Sequence, residues 1–173
     1  MLYHVFKEVL KRHLPKCFSR YVRTHVIIDC TEVKIEKPSA PSSQNVSWSD
    51  YKIHNLFKLL VGITPSGEFS FVSYLYSGAI SDSAITIRSG LIENLGFMDD
   101  VMADRRFNLK DLVTKRNATL NIPPFAKGKQ LSTKACTKTR KIASLRIHVD
   151  GGIVHQYRLH CFLLALGLPA FYI

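Results

Sequence analysis

Two short runs of β-branched and apolar residues each close on an aspartate: Thr24-His-Val-Ile-Ile-Asp29 and Asp100-Val-Met-Ala-Asp104. Such runs form strands buried in a sheet, and an acid that closes one is held at the sheet's rim, half out of water. A third aspartate, Asp150, stands alone in a long basic tract. Three carboxylates gathered at one rim repel one another unless a cation lies between them, and carboxylate oxygens are the preferred ligands of Mg²⁺ and Mn²⁺. The pattern therefore points to a metal site carried by a sheet. Spacing alone does not single out this triple, because a chain with 13 Asp and Glu residues offers many others.

A chain of 173 residues, 46% hydrophobic and 21% charged, has the length and composition for one globular core rather than a disordered polymer. Lys and Arg outnumber Asp and Glu by 24 to 13, a formal charge of +11 that suits a polyanion: nucleic acid first, an anionic membrane second. Much of the excess lies between Leu112 and Ile173, where Asp150 is the sole acid. That tract reads either as a phosphate-binding surface or as an ordinary solvated basic helix face. The four cysteines form no Cys-x-x-Cys pair and no secretory leader is evident, so a reducing compartment is expected. His155, His160 and Cys161 cluster late in the chain at a spacing that matches no structural zinc site.

Periodicity divides the chain further. Leu2, Val5, Phe6, Val9 and Leu10 recur at helical spacing, which predicts a packing helix over residues 2–13 that ends before Pro15. Two strands are expected at His25 to Asp29 and Thr31 to Lys37, then a loop over residues 38–49 in which Trp48 and neighbouring Tyr51 anchor the chain rather than stack on bases. Leu56 to Thr64 and Glu68 to Tyr76 read as a hairpin about Pro65-Ser-Gly-Glu68, placed beside the strand that ends in Asp29. Ser81 caps a helix predicted to run to Leu95, with Asp82 in its first turn as a helix-dipole residue and, second, a candidate for the site. Val101 to Asp104 returns to the sheet, followed by a helix from Asn108 to Lys115, a strand from Ala118 to Ile122, and a long helix capped by Ser132. Lys134, Lys138 and Lys141 share one face of that last helix, with Asp150 near its end. A mixed sheet flanked by helices, with acids on separate strands and a late helix, is the layout of a two-metal phosphoryl-transfer site, in which cations about 4 Å apart activate the attacking oxygen and stabilise the leaving one.

Several ordered words carry a resemblance. Ile27-Ile-Asp-Cys-Thr-Glu32, Tyr51-Lys-Ile-His-Asn-Leu-Phe-Lys-Leu-Leu-Val-Gly62, Leu75-Tyr-Ser-Gly-Ala-Ile-Ser-Asp82, Val101-Met-Ala-Asp-Arg-Arg-Phe107, Leu120-Asn-Ile-Pro-Pro-Phe125 and Ile142-Ala-Ser-Leu-Arg-Ile-His-Val149 resemble the DDE superfamily endonuclease domain of Harbinger/PIF-type transposases and their transposase-derived relatives. The likeness runs from about Leu14 to Asp150. It implies an α/β, RNase H-like mixed sheet flanked by helices, with an altered C-terminal end. It also implies an endonuclease that cleaves or joins DNA phosphodiesters with a divalent cation, Mg²⁺ or Mn²⁺, two of them in the full site, and works in the nucleus or cytoplasm. Asp29, Asp104 and Asp150 take the places of the catalytic, metal-binding acids.

The chain departs from the pattern at three places. Asp150-Gly151 stands where the family has glutamate and arginine, which shortens the third ligand by one methylene. Arg106 replaces a glycine, and the sequence beyond Asp150 diverges into an apolar run. The organisation expected is thus a helix and linker over residues 1–24, the nuclease domain over 25–150 and a divergent tail over 151–173. Only 28 residues precede Asp29, enough for one helix and a linker, so sequence-specific DNA binding is not expected from this stretch alone, which leaves room for a separate DNA-reading partner or domain. Lys127, Lys129, Arg140 and Arg146 are the candidate phosphate contacts. The rival expectations are a catalytically silent, transposon-derived DNA-binding or interaction protein and a structural α/β domain whose acids only cap strands and helices.

Overall fold

The computed structural model describes residues 14–124, 133 and 136–146, and on these the chain folds as a mixed α/β unit. The predicted helix over 2–13, Lys127, Lys129, Asp150 and the tail lie outside the described residues. In chain order the elements are β1 (Thr24–Lys34), α1 (Pro41–Ser47), β2 (Trp48–Ser49), β3 (His54–Ile63), β4 (Phe69–Val72), β5 (Tyr76–Ser77), α2 (Asp82–Arg88), β6 (Asp100–Met102), α3 (Lys110–Lys115) and β7 (Thr119–Asn121). Residues 136–146 form a last helix, α4.

The seven strands make one sheet in the order β2-β3-β1-β6-β7, with β4 and β5 also pairing along β3. β1 and β3 are antiparallel from Ile27↔Ile63 to Lys34↔Leu56, and β6 and β7 then add in parallel on the other side of β1. This curled mixed sheet between helices is compatible with the RNase H-like architecture expected.

Both faces of the sheet are buried, and strand parity decides which residue goes where. Val26 and Ile28 of β1 join Leu60, Val101, Ile85, Leu91, Phe107, Leu109 and Val113 in one core, beneath α2 and α3. Ile27 joins Leu59, Val61, Ile63, Met102, Phe18, Ile142 and Leu145 in the other, beneath α4. By the same alternation Asp29 shares the face of Ile27 and looks toward α4. Buried polar contacts lock the start of β1 onto β6. His25 Nδ1 lies 2.9 Å from Asp99, Arg23 lies 3.4 Å from Asp100, and the Asp100 N–H donates to the Arg23 carbonyl.

Several boundaries differ from expectation. The two predicted strands are one, and Asp29 lies in the middle of β1 rather than at its tip, because the ladder to β3 continues through Asp29↔Val61 and Cys30↔Leu60. The predicted loop holds a two-turn helix, begun by a proline that needs no N–H at its first position. Trp48 donates to Asp50, but Tyr51 is 81% exposed, with the Lys52 ammonium 5.1 Å from its ring centroid. Ser81 caps α2 through the Ala84 N–H, yet the helix stops at Arg88, where Gly90 takes a φ of +78° and turns the chain into a 3-10 turn at Ile92–Asn94. The hairpin turn forms as expected with Gly67 at φ +98°, but its second strand is split into β4 and β5.

The close approach at Gly78 gives a first testable consequence. A Cβ there would lie 2.5 Å from the Ser47 carbonyl oxygen and 2.7 Å from that of Leu56, both backbone atoms that cannot rotate away. Gly78→Ala is expected to cost about 1–3 kcal/mol in a denaturant melt through overpacking.

Candidate active site

The register of two parallel strands brings the acids together. Ile27 of β1 pairs with Met102 of β6. Asp29 and Asp104 are each two residues beyond that pair, on the same pleat face, and parallel neighbours lie about 4.8 Å apart. Asp104 falls just past the end of β6, in a turn closed by the Phe107 N–H donating to the Asp104 carbonyl, and its own carboxylate accepts the Arg105 N–H at 2.6 Å. The acids lie beyond the carboxyl end of β6, where its parallel ladder with β1 stops while β1 itself runs on to Lys34.

Two guanidinium groups span the pair. Arg106 lies 4.0 Å from Asp29 and 3.5 Å from Asp104, and Arg146, arriving from α4, lies 3.5 Å from Asp29 and 3.7 Å from Asp104. Arg146 was expected on a phosphate-binding surface; its guanidinium is turned instead to the acids. Arg106 also reaches Asp82, at 3.4 Å. Asp82 is buried in the first turn of α2, where it also lies 3.5 Å from Lys58, whose ammonium donates to the Ile80 carbonyl. Asp82 is therefore more than a helix-dipole residue, since it is wired into the cluster around Asp29 and Asp104.

Among the described residues the cluster sets the carboxylates of Asp29, Asp82 and Asp104 against Lys58, Arg106 and Arg146. Partial burial of Arg106 opposes its charge, but Asp82, Asp29 and Asp104 together outweigh that and raise its pKa above the ordinary value, so it is a permanent cation. Burial pushes the Cys30 thiol up, and Asp82 and Asp29 push it further. It stays protonated and is no nucleophile.

Two adjacent carboxylates are hard-oxygen donors of the kind Mg²⁺ and Mn²⁺ take, so by donor chemistry Asp29 and Asp104 fit such an ion. Among the described residues no group of three or more His, Cys, Asp or Glu is placed to hold a metal. The third expected acid, Asp150, is outside them.

Residues 28–158 match the family described as DDE superfamily endonuclease, which takes in most of the chain, both acids and the sheet from Ile28 of β1 onward. The chain belongs to that family. No curated protein and no solved structure matches it. DDE superfamily endonucleases as a class act on DNA and use divalent metals, and no helix among the described residues is long and apolar enough to cross a membrane.

A second feature of this DDE domain joins distant parts of the chain. A cleft of about 530 Å³ opens between the turn before β1, the end of β7 and α4, and Arg20, Tyr21, Thr137, Lys138 and Lys141 line it. Lys138 and Lys141 are two of the three lysines expected on one helix face; Arg20 joins them from a distant part of the chain. Arg140 is exposed on the same helix. From Lys141 to Arg146 is about 7.5 Å along the helix axis, so the basic cleft and the acids lie along one element. Lys58 carried the one local signal for the Asp82 contact, since an ammonium inside Leu56-Phe-Lys-Leu-Leu-Val61 needs a buried partner.

Proposed function

We propose that the chain is a transposase-derived nuclease of the Harbinger/PIF type that cleaves or transfers DNA phosphodiesters with Mg²⁺ or Mn²⁺ held by Asp29 and Asp104, Asp150 serving as third ligand. The observation that carries this reading is the equal offset of Asp29 and Asp104 beyond the Ile27↔Met102 pair, which sets two carboxylates side by side where the parallel β1–β6 ladder ends. When bound, the metal supplies Lewis-acid stabilisation of the phosphoryl oxygens and a more acidic attacking water or hydroxyl. The chain's own residues orient and hold. The sheet ladder fixes Asp29, the turn closed at Phe107 fixes Asp104, and Arg146 holds the two carboxylates at a common distance. Such a protein works where chromosomal DNA is, in the nucleus.

Supercoiled plasmid tests the reading. Nicking that requires Mg²⁺ or Mn²⁺ and stops with a chelator supports it, and nicking indifferent to both ions rejects it. The DNA path is proposed to run over α4, with Arg20, Lys138, Lys141 and Arg140 on phosphates and Lys127 and Lys129 extending it. Neutralising Arg20, Lys138 and Lys141 together is expected to reduce the slope of log affinity against log salt by up to about 2.7, at about 0.9 per lost phosphate contact, in fluorescence anisotropy titrations on duplex DNA. An unchanged slope would put the DNA elsewhere.

The ion pairs of Arg106 and Arg146 favour a second reading, a DNA-binding protein without turnover. Salt-dependent DNA binding with no metal-dependent nicking at any ion concentration would select it.

A further inference from the structure

Among the described residues, Arg106 is the one cation that reaches all three acids, which come from β1, α2 and the turn after β6. Its contacts of 3.4 to 4.0 Å are longer than good hydrogen bonds, so they balance charge without locking geometry. The other two cations are built in more firmly: the side chains of Lys58 and Arg146 are 13% and 16% exposed, that of Arg106 52%. A guanidinium on a half-exposed arm can leave for water at little loss of packing.

An Mg²⁺ ion takes oxygen ligands at about 2.0–2.1 Å and tolerates little deviation, so it competes with the guanidinium groups of Arg106 and Arg146 that lie against Asp29 and Asp104, and of the two the half-exposed Arg106 is the one free to give way. Coulomb repulsion between a dication and a fixed positive charge a few ångströms away adds to that competition. We infer that Arg106 is a tethered cation that competes with divalent metal for Asp29 and Asp104 and so sets the metal affinity of this site. The inference rests on the reading of those two aspartates as the metal-binding pair. Metal enters only as Arg106 swings outward, and Asp82 keeps a second partner in Lys58 when it does.

The test measures binding, not turnover. Free Mn²⁺ is followed by electron paramagnetic resonance during titration of the wild type, Arg106→Gln and Arg106→Lys at low salt, with near-UV circular dichroism to verify folding. Arg106→Gln is expected to bind Mn²⁺ about tenfold to a hundredfold more tightly than wild type, the scale of one unit charge removed at this range in a partly exposed site. Arg106→Lys keeps the charge and is expected to stay near wild type. Adding Asp29→Asn to Arg106→Gln should remove the gain. Equal affinity of wild type and Arg106→Gln overturns the inference alone, and absence of binding from both overturns it together with the Asp29 and Asp104 reading. Persistence of the gain in the double variant places the ion elsewhere and overturns both.

The wild type supplies an independent measurement should Arg106→Gln not fold. Saturating Mg²⁺ is expected to shift the Arg106 Nε–H resonance and speed its exchange with water as the side chain is displaced. A resonance that stays put while Mg²⁺ perturbs the amides of Asp29 and Asp104 overturns the competition.

Discussion

Asp29→Asn and Asp104→Asn are each expected to lower metal-dependent DNA nicking by about a thousandfold or more, equivalent to about 4 kcal/mol of transition-state stabilisation. Asparagine keeps the volume of the side chain and removes its charge, so the sheet and the turn at Phe107 should survive. Asp29 lies in β1 and Asp104 just past the end of the parallel β6, at the same offset from Ile27↔Met102, and the two are spanned by the same two guanidinium groups. They form one unit, and the double variant should be little worse than either single one, since groups that act together lose their effect together. Duplex binding measured by anisotropy should be retained or slightly strengthened, because an acid facing phosphates has been removed. Nicking that continues unchanged in both variants would mean that the activity belongs to another site or another protein. Full additivity would mean that the two acids do not share a site.

How much of this was written in the sequence depends on which forces are local. The β-branched runs around Val26 and Val101 announced the central strands because alternation and composition are properties of the run itself. The turn at Gly67 was legible for the same reason. Where a strand stops is decided by its partner, and nothing in Cys30-Thr-Glu-Val-Lys34 states that β3 lies beside it; an acid in mid-run looked like an end. Apolar spacing after Ser81 continues through Leu91, Ile92 and Leu95 and so extends the predicted helix past Gly90, although one left-handed glycine suffices to end it.

The site divides in the same way. Asp29 and Asp104 were accessible to pattern, since each is an acid closing an apolar run. The role of Asp82 was hidden behind an adequate local explanation at a helix start, and its partners Lys58 and Arg106 are 24 residues away on either side in sequence. Arg106 stood out only as a departure from the resemblance. That it reaches three acids follows from the β1 and β6 register and from the position of α2, which are tertiary facts. The basic cleft joins Arg20 to Lys138 and Lys141 across most of the chain, a proximity that helix periodicity cannot reveal.

Phe107→Ala should be among the most destabilising single changes in the chain. The ring is fully buried among Val26, Ile28, Leu60, Ile85 and Leu109, while its N–H closes the turn on the Asp104 carbonyl. Truncation at such a position costs about 3–5 kcal/mol from lost transfer energy and the remaining cavity. Against a total of about 5–15 kcal/mol for a domain, that brings the protein close to unfolding at growth temperature. The melting temperature should fall by roughly 6–20 °C, at about 2–4 °C per kcal/mol for this chain length. Phe107→Leu refills much of the space and should cost below about 1.5 kcal/mol. Because the ring pins the turn that carries Asp104 and Arg106, the alanine variant should also lose nicking activity at a temperature where denaturant melts show it folded. Slack of about 1 Å at a positioned group is enough for a hundredfold loss. A variant that loses stability yet nicks normally when folded would separate core packing from the site, and would mean that Asp104 is held by the sheet alone.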